Sequence, residues 1–177
     1  LDVAIIGGGQ AGLSLCLALY QRDVFNVAIF DKSPEGLEGP WLTTARMNTL
    51  RTHKYMAGPA MGIPHLTFRA WFEAGGGCWR DLYKIPTSMW GEYLHWYRRV
   101  LQLPVRNEWT LKSIVPEGTL FRLVFNGERE VLAKKVVLAT GFAGAGGLSL
   151  PDCAHHLPRE IWYHTGENIP SSALKDK

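Results

Sequence analysis

The chain opens on an apolar strand, Asp2-Val3-Ala4-Ile5-Ile6, that runs without a break into Gly7-Gly8-Gly9-Gln10-Ala11-Gly12. Glycines at 7, 9 and 12 make a G-x-G-x-x-G element, and Ala11, Leu15, Ala18 and Leu19 behind it read as the apolar face of a helix. In that setting each glycine has a physical reason. Gly7 permits the sharp turn out of the strand, Gly9 leaves space for a diphosphate, and Gly12 lets the helix pack closely on the strand. Free N–H groups and the dipole at the helix start favour an anion there. A second strand, Val27-Ala28-Ile29-Phe30, ends in Asp31, nineteen residues beyond Gly12. A carboxylate at that place can accept hydrogen bonds from both hydroxyls of an adenosine ribose. A turn that merely happens to be rich in glycine leaves Asp31 unexplained. The opening implies a nucleotide-binding βαβ unit.

Further along, residues 42–86 read as an irregular insert, punctuated by Pro59, Pro64, Pro86 and the glycines at 75–77. A helix follows, with Thr87 or Ser88 as its cap and Trp90, Tyr93, Leu94, Tyr97, Val100 and Leu101 as one apolar stripe. Residues 105–135 read as an antiparallel meander, with turn signals at Pro116-Glu117-Gly118 and Asn126-Gly127 around a strand at 120–125. Lys135-Val136-Val137-Leu138-Ala139 then reads as a buried parallel strand that ends on Thr140 and Gly141, small residues beside which a ligand can lie. From 146 to 177 periodicity is poor, and Gly146, Gly147, Pro151, Pro158 and Pro170 mark a loop-rich tail.

Composition removes several function classes. A net charge of +3, with Arg98-Arg99 and Lys134-Lys135 as isolated pairs, gives no basic patch for nucleic acid. Cys16, Cys78 and Cys153 are odd in number and widely spaced, so neither a disulfide framework nor a metal site is expected, and His155-His156 beside Cys153 lacks a matching pair. No apolar run is long enough to span a membrane, and a cytoplasmic setting is the default. Seven tryptophans, mostly between 41 and 109, suit either a core or the cover of a flat ligand.

Together, the Gly-rich element, the acid closing the second strand, Gly39-Pro40-Trp41, the meander and Val136-Val137-Leu138-Ala139-Thr140-Gly141 resemble flavoproteins with two dinucleotide-binding domains. More narrowly, Gly39-Pro40-Trp41, Lys84-Ile85-Pro86 at the helix entry, and His164-Thr165 resemble flavin-containing and Baeyer–Villiger-type monooxygenases. The likeness is good over residues 1–41, moderate over 84–141 and weak over 42–83. It implies an α/β, Rossmann-like, doubly wound FAD-binding domain over residues 1–145, with a parallel sheet and a three-stranded antiparallel meander. Residues 146–177 would lead toward an NADPH-binding domain, so the chain is expected to be the FAD half of a longer enzyme that uses FAD and NADPH.

The implied chemistry inserts one oxygen atom from O₂ into a small-molecule substrate through a flavin C4a-hydroperoxide. The alternatives are a pyridine nucleotide-dependent flavin reductase or dehydrogenase without oxygenation, and a non-catalytic dinucleotide-binding module. The chain departs from the narrower pattern at Pro158 and Glu160, where F-x-G-x-x-x-H anchored on His164 needs Phe and Gly, and at Asn168, where an aromatic is needed. Arg51 stands where an Asn precedes Lys54-Tyr55-Met56. Amine, sulfide and ketone substrates therefore all stay open.

The resulting cofactor candidates are Gly7, Gly9, Gln10 through its backbone, Ala11, Gly12, Asp31, Lys32, Pro40, Trp41, Leu111, Thr140 and Gly141; no residue is assigned to acid–base catalysis. Arg46, Arg51, His53 and Lys54 form the densest basic cluster, open to flavin, NADPH phosphate, an acidic substrate or simply solvent. Gly9 and Asp31 are expected to matter to the ligand and little to the core.

Overall fold

A computed structural model describes residues 1–56, 58–144, 146, 149–164, 166, 167, 169 and 172. Gly147, Thr165, Asn168 and Pro170, named above, lie outside the described residues. Four short strands, β1 (Val3–Ile6), β2 (Val27–Phe30), β3 (Val105–Arg106) and β7 (Lys135–Leu138), form one parallel sheet in the order β3-β2-β1-β7. The strands β4 (Leu111–Glu117), β5 (Leu120–Phe125) and β6 (Glu130–Ala133) form a separate antiparallel meander. The helices are α1 (Gln10–Tyr20), α2 (Phe68–Ala74) and α3 (Thr87–Val100). None of the described helices is long and apolar enough to cross a membrane.

Alternation along β1 and β2 makes the sheet two-sided. Val3, Ile5, Val27 and Ile29 bury into one core with Leu13, Cys16 and Leu17 of α1 and with Trp90, Tyr93, Leu94 and Tyr97 of α3. Ala4, Ile6, Ala28 and Phe30 bury on the other face against Leu123, Phe125 and Ala133 of the meander. The parallel sheet is thus sandwiched between a helical layer and a second sheet.

The structure shifts several details of the sequence reading. α1 buries Gly12, Leu13, Cys16 and Leu17, while Ala11 is exposed. The helix is apolar nearly all round, so periodicity cannot choose its inner face; the close approach of Gly12 to the strand does. Val105 and Arg106 extend the parallel sheet, and the meander begins only at Leu111.

The hairpin turn carries its positive φ angles on Gly127 and Glu128, one residue later than an Asn-Gly centre. This frees the Asn126 side chain, whose Oδ1 accepts from Thr110 N at 2.9 Å. β7 is an edge strand among the described residues and leaves Leu138 61% exposed, unlike a buried central strand.

Neither Thr87 nor Ser88 caps α3. Pro86 is the N-cap, and the buried Thr87 hydroxyl donates to Met47 O at 2.7 Å. Val100, read into the apolar stripe, is 52% exposed, because buried positions run through 90, 93, 94 and 97.

Residues 42–86 are more ordered in pattern than their composition suggests. Leu50 N donates to Ile85 O and Thr87 N to Asn48 O, which stitches the start of the insert to the entry of α3. Thr67 caps α2 by accepting from Ala70 N at 3.2 Å. Phe68, Trp71, Trp79, Trp90 and Tyr93 then form a continuous ring cluster. The tryptophan density is largely core packing.

Two buried tyrosines pin this layer. Tyr93 donates its hydroxyl to Leu66 O and Tyr97 to Pro59 O, both at 2.6 Å. Tyr97→Phe leaves the Pro59 carbonyl without its donor, so we expect a loss of about 1–3 kcal/mol in a denaturant melt.

Burial drives both phenols well above the usual tyrosine value of 10.0, and it pushes the Cys16 thiol up to about 11 from 9.0. The folded chain therefore keeps protons that the unfolded chain releases, so stability should fall as pH rises past about 9–10. Melts across pH 7–11 check this; a stability that stays flat or rises there contradicts it.

Candidate functional site

The candidate site lies at the carboxyl ends of β1, β2 and β7, where β2 pairs on one side of β1 and β7 on the other. A crevice at such a switch point is where open α/β sheets bind ligands. Gly7 stands at the switch itself. Its φ is +113°, and a Cβ there would overlap the backbone of Ala139 at the end of β7. A Cβ on Gly12 would overlap the Gly7 carbonyl. Glycine at 7 and 12 is therefore demanded by the fold.

Gly9 is different. Its φ of −70° suits any residue, and a Cβ would meet the Gly39 backbone at ordinary distances, 3.5 Å from Cα and 3.8 Å from N. The protein itself thus leaves a side chain allowed at position 9. Gly9 is also the N-cap of α1, and no side chain caps the helix. First-turn N–H groups of a helix have no intrahelical acceptor, so those at the start of α1 are available to an anion. The first turn holds no acidic residue to compete for them.

Asp31 is 7% exposed. Its Oδ2 accepts from Gly8 N at 2.6 Å and its Oδ1 from Ser33 N at 2.7 Å. Its own N–H donates to Arg106 O, and its carbonyl accepts from Trp109 N, both at 2.9 Å. The carboxylate thus ties the Gly-rich turn to the end of β2. This corrects the expectation that Asp31 matters little to the core. Each oxygen keeps a further lone pair for an outside donor.

The other candidates fall into distinct places. Gln10 and exposed Ala11 form the first turn of α1. Thr140, exposed, and Gly141, with φ of +68°, follow β7 beside Gly7. Lys32 and Pro40 are exposed, and Trp41 is half-buried with its ring edge-on to Trp90 at 6.2 Å. Leu111 packs with the meander core around Phe30, the residue before Asp31.

The basic cluster does not act as one group. Lys54 Nζ donates to Trp79 O and Leu82 O at 2.6 and 2.5 Å, so it clamps the insert from inside. Arg46 donates to Glu167 O, while exposed His53 stacks on Tyr55 at 4.9 Å. His164 accepts from Gly166 N through Nδ1 at 3.0 Å in the tail.

Sequence reasoning missed Glu38, Arg98 and Asn107, which form a half-buried network beneath the loop that carries Gly39, Pro40 and Trp41. A narrow crevice runs between this loop and α3, lined in part by Gly8, Gly9, Trp41, His95 and Arg98. Its Gly8 and Gly9 wall is part of the same Gly-rich turn that Asp31 holds through Gly8 N.

With this geometry in hand, known proteins give a consistent picture. The FAD-NAD(P)-binding family model matches residues 4–143, and the chain belongs to that family. The FAD-dependent urate hydroxylase of Xanthomonas campestris is 44% identical over 99% of this chain, which spans 38% of that curated relative. A flavin-containing monooxygenase from Stenotrophomonas maltophilia shares the fold at 24% identity, with a TM-score of 0.60 over 78% of this chain and 38% of its own. Bacillithiol disulfide reductase from Staphylococcus aureus shares it at 17% identity, with a TM-score of 0.63 over 81% and 39%.

The contrast between Asp31 and Gly9 can be read without any ligand. Asp31→Ala leaves two backbone N–H groups without their charged acceptor, each such bond contributing about 1.5–3 kcal/mol. Its melting temperature should fall by several degrees. Gly9→Ala should melt within about a degree of wild type, since a Cβ fits there. A melting temperature for Asp31→Ala equal to that of wild type would show that the carboxylate is not part of the fold.

Proposed function

We propose that this member of the FAD-NAD(P)-binding family is the FAD-binding portion of a longer NADPH-dependent flavoprotein monooxygenase acting on a small-molecule substrate. The observation that carries the reading is the convergence of an uncapped helix N-terminus, a carboxylate with spare lone pairs and a β7 end of small residues on one crevice. Those features fit FAD part by part. The first-turn N–H groups of Gly9, Gln10 and Ala11 suit its diphosphate. Asp31 suits the adenosine ribose, which donates two hydroxyl hydrogen bonds. Thr140 and Gly141 border the dinucleotide where β7 ends, and Lys32 and Leu111 lie toward its adenosine side. Pro40 and Trp41 would wall the flavin and keep water from it. Bound FAD supplies the electron transfer and the oxygen chemistry; the chain supplies position and dryness.

The monooxygenase reading rests on the 44% identity to a urate hydroxylase together with the Gly39-Pro40-Trp41 segment. That identity also supports a planar, nitrogen-rich heterocycle of the urate kind as the substrate class. Residues 1–145 form the cofactor-holding unit in this proposal, residues 146–177 lead on toward the NADPH-binding part, and the setting is cytoplasmic. A disulfide-reductase reading gains nothing from the fold it shares. Cys16 is buried, Cys78 and Cys153 are exposed, and all three thiols are free.

Purified full-length protein should show flavin absorbance near ~450 nm. Asp31→Asn should weaken FAD at least tenfold, from the loss of about 1.5–3 kcal/mol per ribose hydrogen bond. Flavin fluorescence titration below the melting temperature reads this directly, and an unchanged affinity would remove Asp31 from the site. The 177-residue chain with added FAD should not consume NADPH. Saturable NADPH consumption by it would refute the division into two parts.

A further inference from the structure

Glu38 is an unusual residue to find half-hidden in a surface loop. Its Oε1 lies 2.6 Å from Arg98 Nη1 of α3 and accepts from Asn107 Nδ2, also at 2.6 Å. Its Oε2 accepts from Gly36 N at 2.9 Å, so both oxygens are engaged. Arg98 reaches on to Val105 O of β3 at 3.2 Å, and Asn107 to Ser33 O at 3.0 Å. The Glu38 and Arg98 side chains are only 11% and 13% exposed. Three segments of the chain meet here: the loop after β2, α3, and the stretch from β3 into Asn107.

Apolar burial holds this loop at its far end, where Trp41 packs on the core beside Trp90, but not around Glu38. Leu37 is 41% exposed, and Pro34, Glu35 and Pro40 are exposed too. Drawing two charges out of water is costly before their attraction is counted, so such a pair is a poor route to stability alone. What it does provide is a fixed position. Glu38 directly precedes Gly39, whose φ of +74° bends the chain so that its Cα lies 3.5 Å from where a Gly9 Cβ would be. Two residues later comes Trp41. Glu38 Cγ itself lies 3.3 Å from the Cβ direction of Gly8, directly behind the Gly-rich turn.

We infer that Glu38, Arg98 and Asn107 are positioning residues that hold the Gly39-Pro40-Trp41 segment against the Gly-rich turn, so that the flavin side of the dinucleotide site is formed before the cofactor arrives. The inference rests on the FAD reading above and adds the residues that act on the cofactor through the loop. None of the three touches the nucleotide. Their effect is on where Trp41 and the loop backbone stand when FAD enters, which reduces the ordering cost of binding.

The test uses the full-length protein in four forms: wild type, Glu38→Gln, Asn107→Ala and Glu117→Gln. Glu117 pairs with Arg122 on the exposed face of the meander at 2.7 Å and serves as a control for loss of an ion pair far from the loop. Three readouts are taken: apo melting, FAD dissociation constant by fluorescence, and flavin-region circular dichroism at saturating FAD. Glu38→Gln should weaken FAD tenfold or more and change the dichroism of the bound flavin, because the walls around it have moved. Asn107→Ala should do the same to a smaller degree, and Glu117→Gln should do neither.

A drop in melting temperature with FAD affinity and dichroism both at wild-type values would overturn the inference, since it is what a merely structural pair gives. If Glu38→Gln fails to fold, Asn107→Ala decides, because it removes the two Asn107 hydrogen bonds, to Glu38 and to Ser33 O, and leaves the charge pair intact. Failure of the wild type itself to bind FAD would sink the FAD reading and this inference together. Wild-type binding with unaffected variants would sink the inference alone.

Discussion

Three backbone segments crowd together at Gly7, and the geometry of the whole domain follows from that crowding. The Gly7 carbonyl faces Gly12 of α1, while the Gly7 Cα faces Ala139 at the end of β7, and neither place has room for a Cβ. Apolar burial would hold α1 almost anywhere along the sheet, because it is proportional to area and has no direction. The backbone contacts do have direction. They fix the angle at which the helix leaves the strand and bring β7 to its end beside the turn. As a result the free N–H groups at the start of α1 open onto a crevice rather than onto another element.

The second constraint is the two-sided sheet. Odd positions of β1 and β2 face the helices and even positions face the meander, so a one-residue slip would exchange both cores at once. Small residues at Ala4 and Ala28 leave the meander side free for Phe30, Phe125 and Trp109, whose ring centroids lie 4.7–5.2 Å apart. Arg129 sits 4.2 Å above the Trp109 ring. Glu108 next to it has a positive φ of 59°, held by a carbonyl that accepts from Arg129 and Asn126. This rigid corner fixes the end of β2, and with it Asp31, from the side opposite to α1.

How much of this was legible depended on how local the cause was. The Gly-rich turn and Asp31 could be read because backbone sterics act within a few residues, and the strand alternation because its period is two. The inner face of α1 could not, since a helix apolar all round has no periodic signal. The Thr87 cap failed because Pro86 takes the N-cap position and leaves Thr87 inside the helix, where its buried hydroxyl donates to a tertiary acceptor, Met47 O. Lys54 looked like a surface charge until the Trp79 and Leu82 carbonyls, brought close only by the fold of the insert, claimed its ammonium. Glu38 and Arg98 are sixty residues apart, and nothing in either neighbourhood announces the other.

The same distinction explains why the likeness to solved structures persists at 17–24% identity. A cradle made of main-chain N–H groups and steric clearances constrains a few glycines and one carboxylate, and it leaves most side chains free to drift. Residues 42–86 obey a different rule. Their stability comes from a packed aromatic layer in which each ring contacts several others, so changing one residue requires its neighbours to adjust. Such a layer carries no short motif. The cofactor end of the chain is therefore readable from spacing alone, while the insert can be understood only after its rings are placed, and Glu38 with Arg98 sits where the two regimes meet.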